Sequence, residues 1–435
     1  MSSLAIGFTG LAAVLVLIAM RLPIGVALGG VSILGVMAIR GPDVAAGLVK
    51  TIPFEFAANW SLSAIPMFLL MGAVAHHSGI SSALFRAARL WMGGLPGGLA
   101  VASNFACAGF SAASGSSVAT AAAMGRITIP EMIKQGYEKG LSTGVVAAAG
   151  TLGSLIPPSI LMVIYGIFAE VSISKLLIAG ILPGVLTAAV YALMIIARCK
   201  LNPKLAPQIT EKPNLAEKMQ ALGGVWPLLA LIIGIIGGIY GGIVTPTEAG
   251  AFGAFLAFLI AALQGRLTLN VFKDSVMEAV NGTAQIFFVA LGAVLLTKFL
   301  ALSGVPHYLN QSFGAWLQDP VLLVLAAAVL YLVLGMFLEP LGLMLLTLPL
   351  LLPLFENAGA DLIWFGVLVV KFLEVGLMTP PVGLNVYVVK STVGDQVPLA
   401  TIFRGVSWFL LCEAIVIALL VAYPGIALVL PELMN

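Results

Sequence analysis

The sequence predicts an all-α polytopic membrane protein: an inverted-topology repeat with two re-entrant helical hairpins and two broken helices. Three observations lead there. First, 61% of the 435 residues are hydrophobic and only 9% are charged. A soluble domain carries about 25% charged residues, and so little polar surface cannot cover a globule in water. Second, apolar runs of about 20 residues, the length that crosses a bilayer, recur along the chain. Third, Gly153-Ser154-Leu155-Ile156-Pro157-Pro158 recurs as Gly376-Leu377-Met378-Thr379-Pro380-Pro381. Each copy lies inside a long apolar run, where proline breaks a helix. Matched breaks in two halves of a chain point to a transporter's binding site.

The apolar segments follow in order. Leu4–Met20 is followed by Arg21 with no small-residue cleavage site, so it reads as a retained first helix rather than a signal peptide. Ile24–Ile39 and Ser61–Ala75 come next, then the interrupted runs Gly98–Met124 and Leu141–Phe168, then Leu176–Ala197. After the polar stretch Arg198–Met219 come Leu222–Tyr240, Ala249–Leu263 and Gly282–Leu302, the interrupted runs Val321–Phe355 and Leu362–Val389, and Phe403–Ala422. The polar stretch holds Arg198, Lys200, Lys204, Lys212 and Lys218 with Pro203, Pro207 and Pro213, and divides the chain almost equally. Residues 1–197 therefore read as a first repeat, with a hairpin at about 97–125 and a broken helix at about 140–169. A linker at 198–219 separates it from residues 220–435, with a hairpin at about 321–355 and a broken helix at about 362–391. The arms of the first hairpin read as too short to span a bilayer. The amphipathic stretches Gly41–Phe56 and Thr268–Val280 are expected along the interface.

Lys and Arg set orientation. With the linker inside, Arg21, Arg86, Arg89, Lys134, Lys139, Arg266 and Lys273 also fall inside. The first hairpin then enters and leaves by the inner face and the second by the outer face, and both chain ends lie outside.

The serine-rich stretch Ser114-Gly115-Ser116-Ser117 sits at the turn of the first hairpin, where carbonyls, amides and hydroxyls come together. Amides at a helix N-terminus suit an anion; carbonyls and hydroxyls suit a cation. A small-residue packing face would have the same composition. At the break that follows, Gly153, Ile156 and Pro158 can present carbonyls; a proline kink without a ligand is the plainer reading, and the recurrence of the motif weighs against it. The second hairpin turns at Gly335–Gly342 and carries Glu339, an acid at membrane depth that orients a cation site, hydrogen-bonds the tip, or stays neutral or at the interface. Glu374 and Glu413 raise the same question and rank below it, since Glu339 lies at the chain reversal. His76 and His77 read as an interfacial cap. Cys107, Cys199 and Cys412 fit no metal spacing and read as small buried hydrophobes. A net charge of +2 and the absence of a basic tract imply no nucleic-acid partner. No nucleophile–base pattern, Walker loop or dinucleotide motif stands out, so the protein is not expected to be an enzyme, to drive its own transport with ATP or to carry an organic cofactor.

Ser114–Met132, Gly150–Ser159 and Gly242–Gly250, in that order, resemble the large membrane subunit (DctM type) of tripartite ATP-independent periplasmic transporters, and the similarity runs over essentially the whole chain. The resemblance implies a secondary importer of the bacterial inner membrane with an elevator mechanism. Co-transported sodium drives uptake of an organic anion such as a C4-dicarboxylate or sialic acid. A periplasmic binding protein delivers the anion, and a small four-helix membrane subunit, here a separate chain, completes the permease. By position, one sodium site lies between Ser114, Gly115, Ser116, Ser117 and the bend Gly153, Ile156, Pro158. A second lies between Glu339, Gly342 and Gly376, Met378, Thr379, where hydroxyls are fewer. Substrate is expected near Ser116, Ser159, Thr379 and Asn385. A stand-alone sodium/carboxylate symporter is the alternative within this class; an intramembrane enzyme and a passive channel are the alternatives outside it.

Overall fold

Proline, glycine and capping side chains set the helix boundaries. In a computed structural model that describes residues 2–80, 82–207, 214–313 and 319–434, every regular element is helical. Helix α1 (Ser3–Ala19) is capped by Ser2, and α2 (Ile24–Arg40) follows Pro23. Gly41, with φ of +93°, turns the chain into α3 (Pro42–Ala57). Asn59 caps a single 3-10 turn, Trp60–Ser63, that leads into α4 (Ala64–His77), and α3 meets this turn and helix at 54°. Then come α5 (Ser82–Met92), the hairpin α6 (Gly98–Ser114) and α7 (Ser117–Lys134), and the interrupted helix α8 (Lys139–Ala149) and α9 (Ile160–Phe168). Short α10 (Ile173–Ala179) and α11 (Ile181–Leu201) close the first half.

The second half opens with α12 (Leu215–Gly223) and α13 (Trp226–Tyr240), bent at 51°, and α14 (Pro246–Leu263). Helix α15 (Leu269–Ser303) and short α16 (Val305–Phe313) precede the hairpin α17 (Pro320–Gly335) and α18 (Pro340–Asn357). The second interrupted helix is α19 (Leu362–Met378) and α20 (Leu384–Val393), followed by α21 (Leu399–Ala422) and α22 (Gly425–Glu432). Among the described residues, five helices are long and apolar enough to cross a membrane, or seven if each bent pair is one span.

The structure differs from the sequence reading in two places. The stretch expected along the interface at Thr268–Val280 is continuous with the helix behind it, because no proline or glycine interrupts it before Gly282; its counterpart α3 ends at Ala57, and the chain bends by 54° at the Asn59 cap. At 35 residues α15 is about 52 Å long, so part of it must lie beyond an apolar slab of about 30 Å. The first hairpin is also longer than expected: α7 continues through Pro130 to Lys134, giving arms of 17 and 18 residues. Of the linker, the described residues at its two ends form the end of α11, a 3-10 turn and the start of α12; Lys212 and Pro213 lie outside the described residues.

Close helix packing is set by small residues, as expected where apolar surface by itself gives helices no reason to associate in lipid. Helix α2 packs on α15, where a Cβ on Gly292 would meet the Gly25 carbonyl oxygen at 2.8 Å. Helix α14 packs on α4, where a Cβ on Gly253 would lie 2.7 Å from Met71 Sδ. Helices α6, α7, α8, α11, α20 and α21 share a separate buried core containing Leu99, Phe110, Met124, Val145, Tyr191, Val386 and Phe409. In it α21 lies on α8 at Gly144 and Gly405, where a Cβ on Gly144 would be 2.6 Å from the Gly405 carbonyl carbon. Gly405→Val is expected to prise these helices apart and destabilise the purified protein by about 1–3 kcal/mol, the range for overpacking. Gly47→Ala, in open space on α3, should leave the thermal unfolding midpoint unchanged or slightly raised.

Candidate functional site

A proline has no amide to donate, so each proline pair strips helical partners from the carbonyls four residues earlier. These belong to Gly153 and Ser154 in the first break and to Gly376 and Leu377 in the second. Both proline pairs contain a cis peptide bond. The Ser154 carbonyl accepts a hydrogen bond from Ser159 Oγ, and the Gly376 carbonyl accepts from the Thr379 amide at 3.2 Å.

The tip of the first hairpin closes over the first break. Gly115 ends α6 with φ of +61°, and a Cβ there would lie 2.6 Å from the Pro158 carbonyl oxygen, so both conformation and space demand glycine. The Ile160 amide reaches the Gly115 carbonyl at 3.5 Å. A Cβ on Gly153 would sit 2.6 Å from the Ser116 carbonyl oxygen, so tip and break touch backbone to backbone. Ser116 caps α7 by accepting from the Ala119 amide at 3.4 Å, and Ser114 Oγ lies 2.7 Å from Thr120 Oγ1. Ser117 Oγ is 2.7 Å from Ser154 Oγ and 2.9 and 3.0 Å from the two carboxylate oxygens of Glu374.

The second tip meets the second break through a different residue from the one the sequence suggests. Gly335 touches Gly376, where a Cβ would lie 2.9 Å from the Gly335 Cα. Glu339 caps α18 by accepting from the Gly342 amide at 3.0 Å, and Gly342 leans on Ile24 of α2. Met378 is buried and Thr379 donates to the Val375 carbonyl at 2.6 Å.

Between the two tips lies a cavity of about 330 Å³. Ser116 and Ser117 line it from the first tip, Ser154 from the first break, Glu339 from the second tip and Gln285 from α15. The N-terminal ends of four helices open onto it: α7 at Val118, α9 at Ile160, α18 at Pro340 and α20 at Leu384. Helix N-termini carry partial positive charge and free amides, which suits a small anion; no described Lys, Arg or His lines the cavity, and the Glu339 carboxylate on its wall is turned to the Gly342 amide. A larger cavity of about 440 Å³, at Glu55, Glu170 and Lys298, touches neither tip nor break.

Of the four residues expected near substrate, Ser116 opens onto the cavity. Ser159 is fully buried and caps α9 through the Met162 amide at 3.2 Å; Asn385 is fully buried with Nδ2 on the Ala147 carbonyl at 3.3 Å; Thr379 is engaged with its own helix. Lys371 drew no notice in the sequence, yet it is buried, with Nζ 2.5 Å from Glu413 Oε2 and donating to Thr187 Oγ1 at 3.2 Å. Tyr191 donates its hydroxyl to Glu413 Oε1 at 2.5 Å. Glu374, which the sequence ranked below Glu339, reaches the first tip instead of staying with its own half. The signal that could have found both residues is Lys371 and Glu374 three apart, on one helix face inside an otherwise apolar run. His77 at the end of α4 pairs with Glu278 at 2.7 Å. No group of three His, Cys, Asp or Glu suited to a metal occurs among the described residues. Cysteine placed at Ser116 should react with a water-soluble methanethiosulfonate reagent, whereas cysteine at Ser159 or Asn385 should not; labelling of purified protein read by mass spectrometry checks this.

The family described as "Tripartite ATP-independent periplasmic transporter, DctM component" matches residues 11–426. A "C4-dicarboxylate TRAP transporter large permease protein DctM" of Pseudomonas aeruginosa is 37% identical over 388 residues, covering 87% of this chain and 88% of that protein. A "Sialic acid TRAP transporter large permease protein SiaM" of Vibrio cholerae is 35% identical over 376 residues, covering 86% and 87%. The "Isethionate TRAP transporter permease protein DctMQ" of Oleidesulfovibrio alaskensis is 35% identical over 377 residues, covering 86% of this chain and 59% of that protein. Among solved structures, the YdaH transporter of Alcanivorax borkumensis shares the fold, with a TM-score of 0.64 at 15% identity, covering 88% of this chain and 90% of that one.

Proposed function

This chain belongs to the DctM component family of the tripartite ATP-independent periplasmic transporters, and from that premise we propose that it imports an organic anion by sodium symport with an elevator motion. It is a multi-pass membrane transporter and not an enzyme. The observation that carries the anion reading is the cavity between the hairpin tips, onto which four helix N-termini open. A carboxylate or sulfonate there is held by amides and hydroxyls without a fixed cation. The relatives' substrates, C4-dicarboxylates, sialic acid and isethionate, are all small anions of this kind.

Sodium binds where a tip closes over a break: the carbonyl of Gly153 and the oxygens of Ser114–Ser117 at the first, and the Gly376–Thr379 turn at the second. Small hard cations prefer such oxygen ligands. Loading these sites holds the tips closed around the anion, which couples the two fluxes.

The moving body comprises the two hairpins, the two interrupted helices and, beyond the sequence expectation, α11 and α21. These last two pack on α6, α8 and each other rather than on α1–α4 and α13–α15. The static body is α1–α4 with α13–α15, enlarged by a separate small membrane subunit. The two halves have inverted topology, the linker lies inside and both chain ends lie outside, in a bacterial inner membrane. A periplasmic binding protein delivers the anion.

Uptake by proteoliposomes containing this chain, the small subunit and the binding protein should stop when the sodium gradient is dissipated; sodium-independent uptake would sink the coupling. Full uptake without the binding protein would favour the stand-alone symporter. Gly153→Ala forces the tip off the break and should raise the half-saturating sodium concentration about tenfold, equivalent to about 1.4 kcal/mol of lost binding.

A further inference from the structure

Three ionisable side chains lie together in the moving body with almost no exposure: Lys371 at 1%, Glu374 at 1% and Glu413 at 0%. Their pairing is unequal. The Lys371 ammonium is taken by Glu413 at 2.5 Å and by Thr187 at 3.2 Å, and Glu413 is held from its other oxygen by Tyr191. Glu374, one helical turn further along α19, takes its hydrogen bonds from hydroxyls, with Ser117 at 2.9 and 3.0 Å and Ser154 bound to Ser117 at 2.7 Å, and forms no ion pair within 4 Å among the described residues. One ammonium therefore faces two carboxylates, and the carboxylate left over is the one beside the first tip. A charge in the membrane interior is tolerated when a partner of opposite sign accompanies it.

We propose that Glu374 supplies the negative charge for the cation held at the first tip, so that this site is assembled from both halves of the chain. The inference rests on the sodium-coupled reading above. The first half contributes the Gly153 carbonyl and the hydroxyls of Ser117 and Ser154; the second contributes the carboxylate. Glu413 acts differently, neutralising Lys371 and leaving Glu374 free for the cation. The arrangement also joins the two tips. Glu374 precedes Gly376 by two residues, about 3 Å along the helix axis, and Gly376 is the residue against which the second tip closes. A cation that fixes Glu374 thus steadies the turn of α19 that the second tip requires.

The test uses the purified complex of this chain with its small subunit in detergent, following thermal unfolding as sodium chloride replaces choline chloride at constant ionic strength. The wild-type midpoint should rise saturably with sodium. Glu374→Gln should raise the half-saturating sodium concentration about tenfold or more, and Glu374→Asp and Ser154→Ala should raise it by smaller factors. Glu413→Gln should lower the midpoint at zero sodium and also raise the half-saturating concentration, because the Lys371 ammonium then has only Glu374 to neutralise it. If Glu374→Gln, or Glu374→Asp and Ser154→Ala should Glu374→Gln fail to fold, keeps the wild-type sodium dependence, this assignment is overturned while sodium coupling stands. A wild-type midpoint indifferent to sodium overturns the coupling itself.

Discussion

A helix interrupted at membrane depth must find partners for its freed backbone inside the protein, because hydrocarbon offers none. The two Gly-x-x-x-Pro-Pro breaks impose that requirement twice, and the rest of this structure is arranged to meet it. Each break lies against a hairpin tip closely enough that a methyl group on Gly153 or Gly376 would strike backbone atoms of Ser116 or Gly335. The glycine before each proline pair is therefore a matter of contact distance: it lets two irregular stretches of chain share their polar groups. The same closeness gathers the carbonyl and hydroxyl oxygens of the first tip and the first break at one joint.

Because each break and each hairpin turn ends one helix and starts another, four helices begin around the cavity between the tips. Their N-terminal ends supply the positive potential that a lysine or arginine would otherwise provide. Among the described residues no lysine, arginine or histidine lines that cavity. Glu339 fits the scheme as a cap: its carboxylate satisfies the Gly342 amide at the start of α18.

Packing separates the chain into parts that exchange partners between halves. Helix α2 lies on α15 and α14 on α4, while α8 lies on α21 and α7 on α20. In each pair one helix comes from before the linker and one from after it. Neither half completes its own core, so the buried charges also cross over: Lys371 and Glu413 from the second half are held by Thr187 and Tyr191 from the first.

Most of the helical outline was legible in the sequence. Apolar runs, prolines and caps are local, and a break at Pro157-Pro158 or Pro380-Pro381 follows from two residues that cannot donate. The serine-rich tip was legible for the same reason, as small residues and helix ends announce themselves along the chain, whereas its place against the first break was implied only by the family resemblance. What the sequence could not decide is which distant groups meet. Ser159 and Asn385 have the right chemistry to face substrate but are turned into the core, Gly335 rather than Glu339 meets Gly376, and Thr268–Val280 runs on as part of a long helix because nothing local stops it. Glu374 belongs by sequence to the second break and in space to the first tip, 257 residues from Ser117. Composition and local backbone rules determined by themselves that this chain is a helical membrane protein with two matched breaks. Only the tertiary structure decided where each buried charge goes, because that depends on contacts between segments whose separation along the chain carries no information about their distance in space.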